Sequence, residues 1–517
     1  MTFFPSSLSH FLRALSVAAA MLAVSSSLHA APDQPAKCEY IQLASLPLRY
    51  TGPSLDLTIA GSIDGAPADM LVDTGSNFTM LTEAAAVRRG LMLSPSRESM
   101  RGPGGRVRMY SARVREFRAG PAAVFNDSIR VMGEFGHPLA YDARLGAQFL
   151  LQSDLELSLA TKELRFFKPS NCKDAILAYW DANAVEIPFA RSYSANPNPV
   201  FKVTLNGKEL TAAIDTGAVI TMMTRRAAER IGLKMDAPGV DRVGDAVGVG
   251  SHRMARWSTT IDTLQIGREI IRNAEIGVVD ADDTAADLLL GTDFLRSHRV
   301  LIAMSQSKLY VSYVGGEALG QLRRIEPWLL QEAEAGNGDA QLTVGMMHSR
   351  GHGTARDPVQ ARAWIDRAAA SGNPRAQLLR GQRLRHDGHY AEAAGVLRAA
   401  LDRLPAERFG ALWLYVARMR SGDTDLARRE LDTTFARDDA AHWPRPIADY
   451  YLGKIDEDRL LTLARKDSAA ARSRTCYAKQ FIVEGHRIAG DEERAKLVIE
   501  QASECRPAAT PTAQATL

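Results

Sequence analysis

Two short stretches decide the fold of this chain: Met70-Leu71-Val72-Asp73-Thr74-Gly75-Ser76 and Ala213-Ile214-Asp215-Thr216-Gly217-Ala218. In each stretch an apolar run leads to an aspartate that is followed by threonine and glycine, and a second apolar run comes after. Burying a carboxylate between apolar strands is costly. Its occurrence twice in the same context predicts that the carboxylates of Asp73 and Asp215 meet.

The sequence around the two stretches is duplicated with a period of about 140 residues. Gly90 and Gly232 each end a predicted short helix 17 residues after their aspartate. A glycine between apolar residues follows at Leu145-Gly146 and again at Leu290-Gly291. Alternating apolar and polar residues predict strands on both sides of each stretch. The period is too long for a solenoid repeat and predicts two homologous all-β lobes, each with one short helix.

The order of these elements resembles that of retropepsin-like and pepsin-like aspartic proteases. The resemblance covers roughly residues 45–315 and rests on both Asp-Thr-Gly stretches and both downstream Leu-Gly elements. It implies an all-β bilobal acid-protease fold made of two pseudo-twofold-related retropepsin-like lobes. It also implies that Asp73 and Asp215 are the catalytic pair, and that Leu145-Gly146 and Leu290-Gly291 pack behind the two loops.

The chemistry of such a pair explains why both aspartates are needed. Two carboxylates at one site cannot both be ionised cheaply, so one stays protonated. The ionised carboxylate takes a proton from a water held between them, and the protonated one donates to the peptide carbonyl oxygen. We expect Thr74 and Thr216 to hydrogen-bond across the base of the site. Gly75 and Gly217 let the backbone approach.

One position breaks the symmetry of the two stretches, because Ser76 in the first corresponds to Ala218 in the second. A hydroxyl at Ser76 can donate a hydrogen bond to the ionised form of Asp73 and favour it. Ala218 cannot do this for Asp215. We therefore expect Asp73 to be the more acidic member of the pair.

Each lobe carries a Gly-rich segment that is a candidate flap over a ligand. The candidate residues are Gly104, Gly105, Tyr110, Gly248 and Gly250. A flap in each lobe is closer to the retropepsin arrangement than to the pepsin-like one. The alternative is a surface hairpin without a role in binding. A retropepsin pairs one aspartate from each of two chains, whereas both are on one chain here, which predicts a monomer that is an intramolecular pseudo-dimer.

After residue 318 the composition shifts to Ala, Arg, Leu and Glu with helical periodicity. Gly336-Asn337 recurs 36 residues later as Gly372-Asn373, in a context that resembles a Sel1-like repeat. Segments that resemble the turn inside a tetratricopeptide repeat begin at Gly388, Gly422 and Gly490. The pattern predicts an α-solenoid, whose role is either to bind substrate or a protein partner or to buttress the lobes.

The N-terminus predicts an export signal. Arg13 precedes an apolar run, Leu15 to Val24, and small residues offer a cleavage site after Ala30. An uncleaved anchor is less favoured, because the run is short for a bilayer about 30 Å thick. We expect an exported protein, periplasmic or secreted, with no membrane span after cleavage. The net charge of +3, without a basic block, gives no support for a nucleic-acid partner.

Four cysteines in an exported chain predict disulfides, and four allow three pairings. Cys38 and Cys172 flank the first Asp-Thr-Gly stretch, and Cys476 and Cys505 flank a predicted helical hairpin. We favour the local pairs Cys38–Cys172 and Cys476–Cys505. The alternative is free buried thiols, since cysteine is also a common core residue.

Two histidine pairs have spacings that a metal ion could use, His348 with His352 and His386 with His389. No carboxylate or cysteine set surrounds them, so the sequence predicts no metal site and no cofactor. We divide the chain into a signal peptide (1–30), two retropepsin-like lobes (31–180 and 181–318), helical repeats (319–506) and a disordered tail (507–517).

The predicted function is that of an exported aspartic endopeptidase, a hydrolase that cleaves peptide bonds with a water activated between Asp73 and Asp215. Its helical repeats would bind substrate or a partner. The alternative is a catalytically inactive peptide-binding scaffold whose solenoid mediates protein–protein interaction. Two intact Asp-Thr-Gly stretches argue against that alternative, although a fold alone does not secure activity.

Overall fold

The computed structural model describes most of the chain. The described residues are 37–102, 104–133, 139–190, 197–248, 253–281, 284, 286–319, 324–351, 353–405, 407–436, 438, 443–466, 471–502 and 505. The predicted signal peptide, the predicted tail, Gly250 and His352 lie outside them.

The first lobe is a sheet built around the Asp73 stretch. The elements of residues 39–170 are β1 (Glu39–Pro47), β2 (Arg49–Thr51), β3 (Asp56–Ile63), β4 (Ala66–Val72), β5 (Met80–Thr82), α1 (Glu83–Arg88), β6 (Ser94–Gly102), β7 (Gly105–Ala119), β8 (Ala122–Met132), β9 (Ala143–Leu145), α2 (Ala147–Leu150), β10 (Asp154–Ser158) and β11 (Glu163–Ser170). Within the described residues, eight strands form the sheet of this lobe in the order β2-β3-β4-β9-β5-β8-β7-β6.

The second lobe repeats this sheet. Its elements are β12 (Val185–Pro188), β13 (Phe201–Leu205), β14 (Lys208–Ile214), β15 (Met222–Thr224), α3 (Arg225–Arg230), β16 (Val240–Val247), β17 (Arg253–Ile266), β18 (Glu269–Val279), β19 (Leu288–Leu290), α4 (Thr292–Ser297), β20 (His298–Ala303) and β21 (Lys308–Tyr313). The sheet order β13-β14-β19-β15-β18-β17-β16 matches β3-β4-β9-β5-β8-β7-β6 strand for strand. The predicted duplication is confirmed at the level of sheet topology.

Local sequence explains the turn that precedes each Asp-Thr-Gly strand. Asp64-Gly65 joins β3 to β4, and Asn206-Gly207 joins β13 to β14. All four residues have positive φ, at 52° and 81° in the first turn and 45° and 76° in the second. Two-residue hairpins with the right-handed twist of strands need this backbone, and Asn-Gly and Asp-Gly adopt it readily.

Each lobe has its predicted short helix after the second apolar run. Thr82 and Thr224 cap the N-termini of α1 and α3, because each hydroxyl accepts a hydrogen bond from the N–H three residues later at 3.1 Å. Gly90 and Gly232 follow these helices with positive φ, at 67° and 93°. Both helices therefore begin and end where the sequence predicts.

A third sheet joins the two lobes. Its order is β1-β11-β10-β20-β21-β12, so three strands come from each lobe. The seam is the antiparallel pair β10–β20, in which Glu156 lies opposite Leu301. The sequence predicts the hairpins β10–β11 and β20–β21 but not the pairing between them.

Both predicted disulfides are present in the structure. Cys38–Cys172 ties the residue before β1 to the residues after β11, and closes 134 residues of chain. Cys476–Cys505 closes 29 residues near the C-terminus.

The C-terminal region is helical. Its helices are α5 (Pro327–Glu334), α6 (Gly338–Arg350), α7 (Pro358–Ala370), α8 (Pro374–His386), α9 (Tyr390–Arg403), α10 (Arg408–Ser421), α11 (Thr424–Phe435), α12 (Arg445–Tyr451), α13 (Glu457–Arg465), α14 (Ala471–Ile488) and α15 (Glu492–Glu500). Each helix packs on the next, and α14 also packs on α10. No helix in the described ranges has both the length and the apolar character to cross a membrane.

The recurring motifs are turns between these helices. Asn337 and Asn373 cap α6 and α8, each accepting hydrogen bonds from backbone N–H groups of the first turn. The glycines that precede these caps, like those at the three later turns, have positive φ; they are Gly336, Gly372, Gly388, Gly422 and Gly490. The solenoid and its Sel1-like or tetratricopeptide character stay predictions.

The helical region packs directly on the first lobe. The Tyr50 ring lies 5.1 Å from the Trp328 ring, measured between centroids. The Asn337 amide donates to the Tyr50 carbonyl at 3.0 Å, and the N–H of Gly52 donates to Asp339 at 2.8 Å. One buried apolar core includes residues of both lobes and of α5, α6 and α7. The predicted boundary at residue 319 therefore runs through a continuous core.

Candidate active site

The loops after β4 and β14 bring Asp73 and Asp215 to the junction of the lobes. Each loop is held by the parallel strand beside it, since β4 pairs with β9 and β14 with β19. The N–H of Asp73 donates to the Leu145 carbonyl at 3.0 Å, and that of Asp215 donates to the Leu290 carbonyl at 2.9 Å. Equivalent backbone hydrogen bonds therefore hold the two aspartates in equivalent positions.

The glycines of the two stretches lie against the carboxylate of the opposite lobe. A Cβ on Gly75 would lie 2.4 Å from Oδ1 of Asp215, and a Cβ on Gly217 would lie 2.6 Å from Oδ1 of Asp73. Any side chain there would displace a carboxylate. The backbone of each lobe therefore touches the carboxylate of the other, as the sequence predicts.

The two threonines cross between the lobes beneath the carboxylates. The N–H of Thr74 donates to Oγ1 of Thr216 at 2.9 Å, and the N–H of Thr216 donates to Oγ1 of Thr74 at 3.1 Å. The Thr74 hydroxyl donates to the Ile214 carbonyl and the Thr216 hydroxyl to the Val72 carbonyl, both at 2.7 Å. The predicted hydrogen bonding of Thr74 and Thr216 across the base of the site is confirmed.

The two Leu-Gly elements pack behind the loops, as the resemblance implies. A Cβ on Gly146 would lie 2.5 Å from the Phe78 backbone, and one on Gly291 would lie 2.7 Å from the Ala218 carbonyl oxygen. The residues after these glycines bind the same loops. Ala147 N–H donates to the Ser76 carbonyl at 2.7 Å, and Thr292 N–H donates to the Ala218 carbonyl at 2.8 Å.

The predicted role of the Ser76 hydroxyl is wrong. That hydroxyl donates to the Phe78 carbonyl at 3.3 Å, and it is the backbone N–H of Ser76 that donates to Oδ1 of Asp73, at 2.9 Å. The Ala218 backbone makes the corresponding bond to Asp215. A backbone N–H is present whatever the side chain, so the Ser/Ala difference does not distinguish the two carboxylates.

Arg144, which no sequence motif singles out, does distinguish them. Its Nε lies 3.2 Å from Oδ2 of Asp73, and both residues are buried, at 8% and 6% exposure. Its terminal nitrogen donates to the Tyr141 hydroxyl at 3.0 Å. The available signal was a charged residue inside Ala143-Arg144-Leu145, where the second lobe has Leu288-Leu289-Leu290.

Burial governs the electrostatics of the site. It raises the pKa of Asp215 to about 7, and the neighbouring charge of Asp73 adds to the rise, against the N–H of Gly217 and the charge of Arg144. Burial also raises the pKa of Asp56 to about 6, with Arg144 opposing the rise. Near neutral pH, Asp215 is thus poised to hold a proton, which is the property that a shared-proton pair requires.

The candidate flap residues lie on equivalent hairpins of the two lobes. Gly104 lies between β6 and β7, and Gly105 is the first residue of β7. Tyr110 lies half-buried on β7 opposite Val131. Gly248 directly follows β16 of the hairpin β16–β17. The role of these hairpins as flaps stays a prediction.

No metal centre was predicted. Within the residues that the structure describes, no three His, Cys, Asp or Glu side chains are grouped so that they could hold an ion. His348 and His386 lie in the last turns of α6 and α8, and His389 precedes α9.

Both halves of the β-rich region match models of aspartyl protease families. Residues 59–135 match the family described as "Aspartyl protease". Residues 201–297 match the family described as "gag-polyprotein putative aspartyl protease". The first segment contains Asp73 and the second contains Asp215. The two halves of the site are therefore both similar to aspartyl protease domains.

A curated relative shares part of the chain. Human Protein DDI1 homolog 1 is 32% identical over 119 residues, which are 22% of this chain and 27% of the human protein. The chain thus spans about a quarter of that relative. Among solved structures, the aspartic proteinase from Irpex lacteus aligns with 14% identity and a TM-score of 0.36, over 53% of this chain and 98% of that one.

Proposed function

We propose that this protein is an aspartic endopeptidase whose catalytic pair is Asp73 and Asp215. The observation that carries the proposal is the reciprocal construction of the pair. The Gly75 and Gly217 backbones each contact the opposite carboxylate, and the threonines beneath them are hydrogen-bonded crosswise. The match of both halves to aspartyl protease families supports the same class.

The geometry supports hydrolysis by an activated water. An ionised Asp73 takes a proton from a water between the carboxylates, and the water oxygen bonds to the peptide carbonyl carbon. Asp215 gives its proton to the carbonyl oxygen, which leaves a neutral tetrahedral diol. The carbon–nitrogen bond then breaks as a diol hydroxyl returns its proton to Asp215 and the proton held by Asp73 passes to the leaving nitrogen. The pair ends in its starting protonation state.

We propose that the protein is exported and that its helical region recruits substrate or a protein partner. Two disulfides, one in the first lobe and one in the helical region, support an oxidising compartment. The continuous core between α5–α7 and the lobes supports a fixed position of the helices beside the site.

The test is cleavage of a mixed peptide library from pH 3 to 8 by the chain without its predicted signal peptide. Asp73→Asn and Asp215→Asn replace one carboxyl oxygen with an amide of the same shape. A general acid or base contributes about 10²–10⁴-fold to the reaction rate. We therefore expect each variant to lose at least about a hundredfold in kcat/KM. Asp262→Asn, on the exposed side of β17, is the matched control and should retain full activity.

Absence of cleavage at every pH, from wild-type protein that unfolds cooperatively and has both disulfides formed, would contradict the proposal. The binding-scaffold interpretation would then be preferred. Activity that survives in Asp73→Asn or Asp215→Asn would also contradict it, because another group would then be performing the chemistry.

A further inference from the structure

The first lobe places a buried cation directly behind one member of the pair. We propose that Arg144 is a positioning residue that fixes the negative charge of the pair on Asp73 and leaves the shared proton on Asp215. This inference rests on the proposed function. It assigns Asp73 as the base that activates water and Asp215 as the acid that protonates the carbonyl oxygen.

The position of Arg144 has an exact counterpart in the other lobe. Arg144 lies opposite Leu71 across β4–β9, and Leu289 lies opposite Ala213 across β14–β19. These are the residues two before each catalytic aspartate. The fold therefore accepts leucine at this position, and the arginine is not a requirement of the sheet.

A second difference accompanies the first. Ile59 and Phe201 are equivalent, because they pair with Met70 and Ala212, three residues before each aspartate. Three residues earlier, the first lobe has Asp56 and the second has Asn198. Tyr141, which accepts the Arg144 hydrogen bond, likewise corresponds to Ala286. At these three pairs of equivalent positions, charged residues thus occur only in the first lobe.

The ionisable groups that interact with Arg144 come from several elements. They are Asp73 after β4, Asp215 after β14, Tyr141 before β9 and Asp56 at the start of β3. Asp339 of α6 lies beyond Asp56 and acts on that carboxyl. Arg144 contacts Asp73 directly, whereas it acts on Asp215 only through the electrostatic field.

The charge of arginine affects the two carboxylates of the pair unequally. A guanidinium stays charged at all pH values that a protein tolerates, and a cation in contact with a carboxylate favours its ionised form. Only one carboxylate of the pair has that contact. Burial and the charge of Asp73 raise the pKa of Asp215, so both effects direct the proton to the same side.

The experiment compares the wild-type chain with Arg144→Leu, which copies Leu289. Two profiles are measured for each: kcat/KM against pH, and the titration of the Asp215 carboxyl by carbon-13 NMR of protein labelled at aspartate Cγ. The resonance is assigned with Asp215→Asn. Arg144→Lys tests whether a positively charged group of another shape restores the wild-type profile. Leu289→Met is the matched control in the other lobe. Should Arg144→Leu fail to fold, Asp56→Asn/Arg144→Leu copies both residues of the second lobe and also removes the carboxyl of Asp56, whose charge Arg144 offsets.

We expect Arg144→Leu to move the alkaline limb of the activity profile and the Asp215 titration upward together, by about one pH unit. Arg144→Lys should restore most of the wild-type profile, and Leu289→Met should leave it unchanged. Superimposable profiles of wild type and folded Arg144→Leu would overturn the inference. If the wild-type chain proves inactive, the proposed function fails, while the Asp215 titration still decides whether Arg144 sets the charge distribution.

Discussion

The two lobes share the order of seven strands and the backbone contacts to their aspartates, yet their interiors differ directly behind the pair. The first lobe has Asp56, Arg144 and Tyr141 where the second has an amide, a leucine and an alanine. The difference separates two kinds of position. Glycines, threonines and Leu-Gly elements, identical in both lobes, build the pair, whereas the unmatched residues give its two carboxylates different environments.

The largest expected effect tests the symmetric part. Gly75→Ala and Gly217→Ala each place a methyl group within 3 Å of the opposite carboxylate. Because a misplacement of about 1 Å in a catalytic group can lower the rate about a hundredfold, we expect at least that loss of kcat/KM from either variant. Gly395→Ala, on the exposed face of α9 with open space around it, is the control. A loss from only one of the two would show that the lobes are not equivalent here.

The next effect concerns the crossed threonines. Thr74→Val and Thr216→Val each remove a hydroxyl that both donates and accepts a buried hydrogen bond across the lobes. Unsatisfied buried groups cost about 1–3 kcal/mol each, so we expect each variant to lower the free energy of unfolding by about 3 kcal/mol. Urea unfolding measures it, and Thr→Ser at each position, which keeps the hydroxyl, is the control.

The threonine pair should also reveal the asymmetry. In Thr74→Val the Ile214 carbonyl still accepts from the Asn198 amide, at 3.1 Å. Asp56 occupies the equivalent position in the first lobe, and an ionised carboxylate has no proton to donate. We therefore expect Thr216→Val to cost about 1 kcal/mol more than Thr74→Val at pH 7. Equal costs would contradict this account.

Another expected effect depends on pH. The pKa of Asp56 is about 6 in the folded protein against 3.8 for an unperturbed aspartate, so the folded state holds its proton more tightly than the unfolded state. The tighter binding of this proton contributes to the free energy of unfolding. That contribution is fully present below pH 3.8 and is lost as pH rises to about 6. At 1.36 kcal/mol per pKa unit, the loss is about 2–3 kcal/mol.

Asp56→Asn, which copies the second lobe, should therefore be more stable than wild type at pH 7 by about 2 kcal/mol and equal to it at pH 4. By the same argument, the free energy of unfolding of Asn198→Asp relative to that of wild type should fall as pH rises. Urea midpoints at pH 4, 5, 6 and 7 measure both. A constant difference between Asp56→Asn and wild type across this range would exclude a titrating Asp56.

The smallest effect concerns the disulfides. Neither of them lies in the second lobe, which contains no cysteine. Cys38–Cys172 closes 134 residues and Cys476–Cys505 closes 29. Chain entropy predicts that replacing the first pair with alanines destabilises the protein by about 1 kcal/mol more than replacing the second. Unfolding midpoints of the two double variants give the comparison, and the reverse ranking would show that native-state packing outweighs loop closure.

The sequence predicts the parts of this fold that local signals determine. The Asp-Gly and Asn-Gly turns, the threonine-capped helices and the glycines after them depend on residues within a few positions of one another. The pairing of β10 with β20 depends on residues about 145 apart, and nothing in either hairpin specifies its partner. The third sheet was therefore not predicted.

The candidate site shows the same limit at the level of single side chains. The Asp-Thr-Gly stretches identify the pair because the spacing of their residues carries the chemistry. Arg144 was missed because one charge in a three-residue strand usually faces solvent, and its burial depends on Asp73, distant in sequence. The Ser76 hydroxyl was given the wrong partner because its side-chain rotamer and the competing N–H of the same residue are tertiary details.

The contacts of Asn337 and Asp339 with the first lobe have a consequence for the order of biosynthesis. Their partners, Tyr50 and Gly52, precede them by 287 residues. A ribosome that adds about 5–20 residues per second reaches α6 roughly 15–60 seconds after the edge of the first lobe has been made. Over that interval the nascent lobe exposes the surface that α5 and α6 later cover. The first lobe is therefore synthesised early but completes its packing only after these helices have been made.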